Sequence, residues 1–482
     1  MRKKENLLLF EFLQVAIGIR KSLSIAIDNG DWLRLFDFCK WQTLIGVGFT
    51  AVEKLHVVGV ICPAGLRMQW MALALQIEKK NSLLNEQCSQ LSRKFEHDGL
   101  STCILKGQGN CLNYPEGLRS RRMPGDIDVW ATLISDEGLR IKDKGIAIAV
   151  QTGKEEVEYV EYHGRKAVIE YVRMQFRLQG IDENPKACYH HIEAPSMAGT
   201  EVEVHYRPAF LRSPLRNWRM QRWFEHHTDE CMKNKTHLGF SMMTSSVNVV
   251  YQICHLYTHI FEGGVGLRQL MDYYFVLKVW HNDVMECKDL QSQGMWSEGL
   301  GTPVMSKEEV MAVLRSFGMG KFAGAVMFVL HKVFENEECR MKKQRSAAEG
   351  KANEECSEAD DVVERELTQI KRELKEIGPQ ADDMGEQQLS SMGQQFKENI
   401  VCEPWLLCEP NEKEGKKLLE EIMKGGNFGQ YDERGKEFKN GGMIKHGLWK
   451  LKRVMRLVRR YPEEAMWEPM FRVYHLIWRL IH

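Results

Sequence analysis

The run Gly125-Asp126-Ile127-Asp128-Val129-Trp130, a short segment after Leu105-Lys106-Gly107, narrows the choice of fold more than any other stretch of this chain. Apolar and acidic residues alternate with the period of a β-strand. Asp126 and Asp128 therefore leave one face of a sheet, and Ile127 and Val129 leave the other. Two carboxylates side by side repel each other unless a cation sits between them, and hard oxygen donors of this kind suit Mg²⁺. An Asp-x-Asp also arises by chance on exposed strands, so the surrounding sequence has to supply the context.

That context changes texture along the chain. Residues 5 to about 95 carry apolar positions at helical spacing, through Phe10, Leu13, Val15 and Ile19 and again from Met68 to Leu91. From Ser101 the pattern becomes strand-like, at Thr102 to Leu105, Asp126 to Trp130, Ala147 to Val150, Glu156 to Tyr162, Ala167 to Val172 and Glu201 to His205. Helical periodicity returns from Ser213 to Lys332, clearest over Val247 to Phe261 and Gly266 to Val279. Residues 335–395 are rich in Glu, Lys, Gln, Ser and Ala and poor in aromatics, which predicts an exposed helical or disordered insertion. Beyond it, Ile400 to Cys402 reads as a strand, Lys416 to Met423 as a helix and Gly425 to Gly429 as a turn. Lys445 to His482 reads as a basic, aromatic helical tail. The expected division is a helical segment 1–95, an α/β core 96–210, a helical domain 211–334, the insertion 335–395 and a C-terminal segment 396–482.

Lys and Arg together number 66, as do Asp and Glu, so no net field draws the whole molecule to nucleic acid or anionic lipid. A nucleic-acid partner through a local basic patch stays open. The 13 cysteines are odd in number and form no Cys-x-x-Cys, which argues against a disulfide framework or zinc knuckle and fits a reducing compartment. Glu11, Gln14 and Arg20 interrupt the apolar N-terminal run, so it does not read as a signal peptide. Pro63, Arg67 and Gln69 likewise break the apolar run from Val57 to Leu75, and no transmembrane segment is expected. The chain reads as cytoplasmic.

The turn Leu105-Lys106-Gly107-Gln108-Gly109 can present backbone N–H groups to a phosphate, with Lys106 neutralising a triphosphate. It is neither a Walker A loop nor a Gly-x-Gly-x-x-Gly dinucleotide site. Standing alone it reads equally as a β-turn with a solvated lysine. Of Arg119, Arg121 and Arg122, the last lies closest to the strand, and it is the expected phosphate fork. Glu201-Val202-Glu203-Val204-His205 alternates as well, so a neighbouring strand can bring Glu203, with His205 beside it, to the Asp126–Asp128 pair. In isolation Glu203 reads as an ordinary exposed strand residue.

Taken together, Leu105-Lys106-Gly107, Tyr114-Pro115, Arg122, Gly125-Asp126-Ile127-Asp128 and Glu203-Val204-His205-Tyr206 resemble a nucleotidyltransferase family of the polymerase-beta-like superfamily. Gly264 to Asp272 and Gly425 to Gly429 are similar to its later landmarks, in a branch common in Bacteroidales-type bacteria. The resemblance implies an α+β fold, with a polymerase-beta-like core of small mixed sheet and helices flanked by mainly helical N- and C-terminal segments. It implies that Asp126, Asp128 and Glu203 hold two Mg²⁺ ions, with Mn²⁺ as an alternative, and carry catalysis. Lys106, Gly107 and Gln108, with Arg122 and Gly125, would bind the nucleotide, and His205, His259 and Arg268 would face the substrate. The reaction implied is transfer of a nucleoside monophosphate from a nucleoside triphosphate to an acceptor, with release of pyrophosphate.

Two departures stand out. The superfamily's usual Gly-Ser reads Gly107-Gln108, and Glu203 stands where Asp is more common. They open two alternatives: a catalytically weak nucleotide-binding regulatory module, or the nucleotidyltransferase-like half of a toxin–antitoxin pair with a protein partner.

Other features have plainer readings. His255 and His259, one helical turn apart, can clamp a metal, but their apolar surroundings favour core or pocket histidines. Asp272 stands four residues after Arg268, the spacing of an intrahelical ion pair. The basic tail, and the cluster of Arg212, Arg216, Arg219 and Arg222 with Trp218 and Trp223, can dock on a membrane or nucleic acid. The simpler reading packs the apolar residues inward and leaves the cations in solvent.

Overall fold

The structure is a computed structural model that describes residues 3–133, 145–151, 157–292, 304–335, 405–430 and 442–481. The expected insertion beyond Glu335, the strand at 400–402, and Glu156 lie outside the described residues.

Four helices open the chain: α1 (Lys3–Ala16), α2 (Asn29–Trp41), α3 (Ile45–Val57) and the long α4 (Ala64–His97). A reciprocal capping box between Asp28 and Asp31 starts α2 and satisfies backbone donors that the helix itself cannot. Strand β1 (Leu100–Ile104) leads through the short α5 (Lys106–Cys111) and α6 (Glu116–Arg119) to β2 (Ile127–Leu133). A separate antiparallel hairpin, β3 (Gly145–Gln151) and β4 (Val157–His163), runs into α7 (Gly164–Leu178). Strands β5 (His191–Met197) and β6 (Thr200–His205) follow.

The main sheet has the order β1-β2-β6-β5. β2 and β6 run parallel, and the two outer pairings are antiparallel. This is a small mixed sheet in a helix-rich α+β protein.

Alternation along the strands explains the layering. Ile127, Val129, Ala131, Val202, Val204 and Ile192 point to one side, where they pack against Leu84, Cys88, Leu91 and Phe95 of α4 and Val168, Tyr171 and Phe176 of α7. The opposite side carries Asp128, Glu203 and His205, so the sheet is apolar behind and polar in front. One expected strand, Ala167 to Val172, is the middle of α7. Its Ala-Val-Ile run looks β-like in a six-residue window. The buried set Val168, Tyr171, Val172, Gln175 and Phe176 recurs at helical spacing once the window is widened.

Helices α8 (Pro214–His226), α9 (Thr228–Lys233), α10 (Ser245–Glu262), α11 (Leu267–Ser292), α12 (Lys307–Ser316) and α13 (Gly320–Phe334) build the larger body. They are followed by α14 (Glu412–Gly425), a 3₁₀ turn at Asn427–Gly429, α15 (Gly442–Val458) and α16 (Pro462–Ile481). One cluster of buried side chains runs through α1, α3, α10, α11, α13 and α15. Two glycine-rich landmarks far apart in sequence meet here: a Cβ on Gly429, whose φ is 66°, would collide with Gly263 O.

The cations of the tail and of the arginine cluster are not all in solvent. Arg453 is buried and donates to Ile260 O at 2.6 Å, and Arg460 donates to Glu414 at 2.7 Å. Arg212, also buried, is gripped by Glu464 and Glu468 of α16. Burial of a guanidinium requires a carboxylate or carbonyl partner, and for Arg212 the acidic side of α16 supplies it. No helix of the described residues is long and apolar enough to cross a membrane.

Candidate active site

Lys106 and Gly107 make the sharp turn that leaves β1. Their φ values are 27° and 41°, in the left-handed region that glycine enters most easily. Surrounding contacts hold such strain in place, and here Leu105 N donates to Asp128 O at 2.9 Å, tying the turn to β2. Gly107→Ala is expected to cost about 1–3 kcal/mol, because φ 41° with ψ −115° is strained for any L side chain. Denaturant unfolding checks this; a loss below about 0.5 kcal/mol would mean that the turn relaxes freely.

The turn delivers Lys106 Nζ to within 2.7 Å of Asp128 Oδ1. Asp128 is only 3% exposed and also contacts His205 Nε2 at 3.1 Å. Burial pushes the Asp128 carboxyl up, but the Lys106 charge and the His205 hydrogen bond outweigh it and hold it well below the usual carboxylate range. Register places Glu203 directly beside Asp128 across the parallel β2–β6 pairing. The ligand atoms of Asp128, Glu203 and His205 lie within 4.8 Å of one another. His205 Nε2 stands 3.3 Å from Glu203 Oε2. Burial opposes a charge on His205, yet its bonds to Asp128 and Glu203 raise its pKa above the ordinary value. For Glu203, burial works upward and the His205 hydrogen bond works downward, and the net shift is down.

Asp126 sits just before β2, exposed at the mouth of the same cleft. The charge on Asp128 is the main cause that raises its pKa, with desolvation second. This is the like-charge repulsion that an adjacent pair of aspartates creates.

The cleft, about 350 Å³, lies between this sheet face and α10. Tyr251, Gln252, His255, Thr258, His259 and Glu262 line it at helical spacing. Burial pushes His259 down to about 3 and holds His255 well below its ordinary value, so both are neutral donor–acceptor groups on the wall. Gly125 and Arg268 complete the mouth, with Arg268 Nη1 donating to Met123 O at 3.2 Å.

Two of the expected nucleotide contacts have partners of their own. Arg122 lines the cleft, but it is 3% exposed and its fork is taken by Asp272: Nε to Oδ1 at 2.7 Å and Nη2 to Oδ2 at 2.8 Å. Asp272 thus grips Arg122 from 150 residues away, and it also accepts from Tyr114 OH at 2.7 Å. Gln108 turns away from the cleft, its amide donating to Asn85 Oδ1 at 2.6 Å and Asn81 O at 3.3 Å on α4. Asn110 lines the cleft instead, accepting from Gln252 at 3.2 Å. Sequence reasoning also passed over His190 and His191, which adjoin Glu203 and His205; an adjacent pair of histidines has no ligand spacing to flag it.

The described residues thus form a helix-rich α+β protein that aligns carboxylates beside a lysine-bearing turn. The chain belongs to a family described as an uncharacterised nucleotidyltransferase, whose profile matches residues 28–293, more than half of the chain. That match contains every cleft residue named above. No curated protein and no solved structure matches the chain.

Proposed function

We propose that this protein is a divalent-metal-dependent nucleotidyltransferase with a polymerase-beta-like core at residues 96–210. It transfers a nucleoside monophosphate from a nucleoside triphosphate to an acceptor oxygen. The observation that carries this reading is the in-register pair Asp128 and Glu203 on parallel strands, with ligand atoms within 4.8 Å and Lys106 at 2.7 Å.

The donor set fits a hard divalent ion such as Mg²⁺, or Mn²⁺ given the neighbouring imidazole. Asp126, pushed up by the charge on Asp128, is the carboxylate that a cation would relieve most. Asp126, Asp128 and Glu203 would hold the metal, which when bound supplies charge neutralisation and Lewis acidity at the reacting phosphate. Lys106 and the backbone of Gly107 are placed to meet phosphate oxygens, and Arg268 rather than Arg122 supplies the positive charge at the mouth.

In the reaction an acceptor oxygen bonds to the α-phosphorus as the bond to the bridging oxygen breaks, and pyrophosphate carries away the electron pair. Glu203, 30% exposed, is positioned to take the acceptor's proton. Positioning and charge neutralisation provide most of the acceleration.

Pyrophosphate release and label transfer from each of the four nucleoside triphosphates, with Mg²⁺, test this reading. Asp126→Asn is expected to lower transfer at least about tenfold, a loss of about 1.4 kcal/mol in transition-state stabilisation. Undiminished transfer would sink the assignment. The Lys106 and His205 contacts to Asp128 favour a second reading, in which nucleotide is held without turnover. Calorimetry showing tight nucleotide binding with no pyrophosphate release would select it.

A further inference from the structure

Strand β5 brings a second kind of donor to the carboxylate face. His191 lies opposite His205 in the antiparallel β5–β6 pairing, and His190 precedes it. Ring centroids are 4.3 Å apart for His190–His191, 5.4 Å for His190–His205 and 5.3 Å for His191–His205. One ligand nitrogen from each of the three rings lies within 4.8 Å of the other two. His190 Nε2 and His191 Nδ1 share a hydrogen bond at 2.9 Å.

Three converging imidazoles are an expensive way to fill space, because each buried ring nitrogen needs a partner. The partners of His205 are one-sided. Nε2 is shared between Asp128 and Glu203, whereas Nδ1, in a residue 3% exposed, has no hydrogen-bond partner among the described residues. A histidine pinned through one nitrogen by carboxylates and bare at the other is the arrangement in which imidazole ligates a metal. The carboxylate fixes the tautomer and the ring orientation and makes the free nitrogen more basic.

We infer that His190, His191 and His205 form a nitrogen-rich metal subsite that takes a first-row transition ion such as Zn²⁺ or Co²⁺. It adjoins the oxygen-lined position suited to Mg²⁺. Imidazole ligands favour transition ions, whereas Mg²⁺ prefers carboxylate and water oxygens. Glu203 Oε2, 3.8 Å from His191 Nδ1 and 3.3 Å from His205 Nε2, orients the rings from the shared edge. The subsite does not depend on nucleotide transfer, since ion binding can be read with no nucleotide present.

The test is a titration of the metal-stripped full-length protein with Co²⁺, followed by its visible absorption and by competition with a chromophoric chelator. One Co²⁺ per chain is expected, with d–d bands of nitrogen ligation, displaced by equimolar Zn²⁺ but not by equimolar Mg²⁺. His190→Gln and His191→Gln should each weaken Co²⁺ binding at least about tenfold, with thermal melts confirming that both variants fold. Asp126→Asn, outside the histidine group, should change it less than about threefold. Wild-type Co²⁺ affinity in both histidine variants, or displacement by equimolar Mg²⁺, would overturn the inference. Undiminished transfer in Asp126→Asn, with Co²⁺ binding lost only in the two histidine variants, would sink the proposed reaction and leave the subsite standing. Loss of transfer in Asp126→Asn, with wild-type Co²⁺ affinity in both histidine variants, would overturn the subsite and leave the reaction standing.

Discussion

Replacing Glu203 by Gln is expected to slow nucleotide transfer by about 10²–10³-fold, the range for removing one preorganised electrostatic group from a reaction centre. Glu203 adjoins Asp128 in register, and its carboxylate is kept ionised by His205. Gln preserves the shape but removes the charge. The side chain is 30% exposed, so the fold should survive the change, and unfolding curves of the variant should overlay those of the wild type. Glu203→Asp tests reach against charge: it keeps the carboxylate but withdraws it by roughly one C–C bond length, about 1.5 Å. The Asp variant should retain at least about ten times the rate of the Gln variant. Equal rates for wild type and Glu203→Gln would remove Glu203 from the chemistry.

The largest stability effect should come from Asp272→Ala, expected to cost about 3–5 kcal/mol. Asp272 and Arg122 are both buried, and the loss leaves a guanidinium only 3% exposed with no carboxylate, keeping its bond to Met123 O; Tyr114 OH loses its acceptor as well. Urea unfolding measures the effect. The paired variant Arg122→Met with Asp272→Leu should recover most of the loss, because removing both charges also removes their desolvation cost. A loss below about 1 kcal/mol in Asp272→Ala would show that water or another group reaches Arg122. If the double variant recovers stability, its transfer rate then tells whether Arg122 does more than brace the wall of the cleft.

The β-period stretches around Asp128 and Glu203 were legible because alternation is local: each residue announces its face by its neighbours two positions away. Ala167 to Val172 misled for the same reason. β-branched residues dominate a short window there, while the helical repeat shows only when Gln175 and Phe176 are included. Gln108 and Arg122 were assigned to the nucleotide because they flank the turn and the strand. Their hydrogen bonds go instead to Asn85 and Asp272. His190 and His191 carried no signal at all until the β5–β6 hairpin set His191 opposite His205.

The sequence by itself determined a strand bearing two carboxylates, a lysine-glycine turn before it and a second acidic strand after it, within a mostly helical chain. Only the tertiary structure decided which charges are committed. Asp128 is met by His205 from 77 residues away and Asp272 by Arg122 from 150 residues away. The physical reason is burial. A local pattern sets the face on which a side chain leaves, but a charge removed from water must take whatever partner the fold brings within reach, and that partner is distant in the chain.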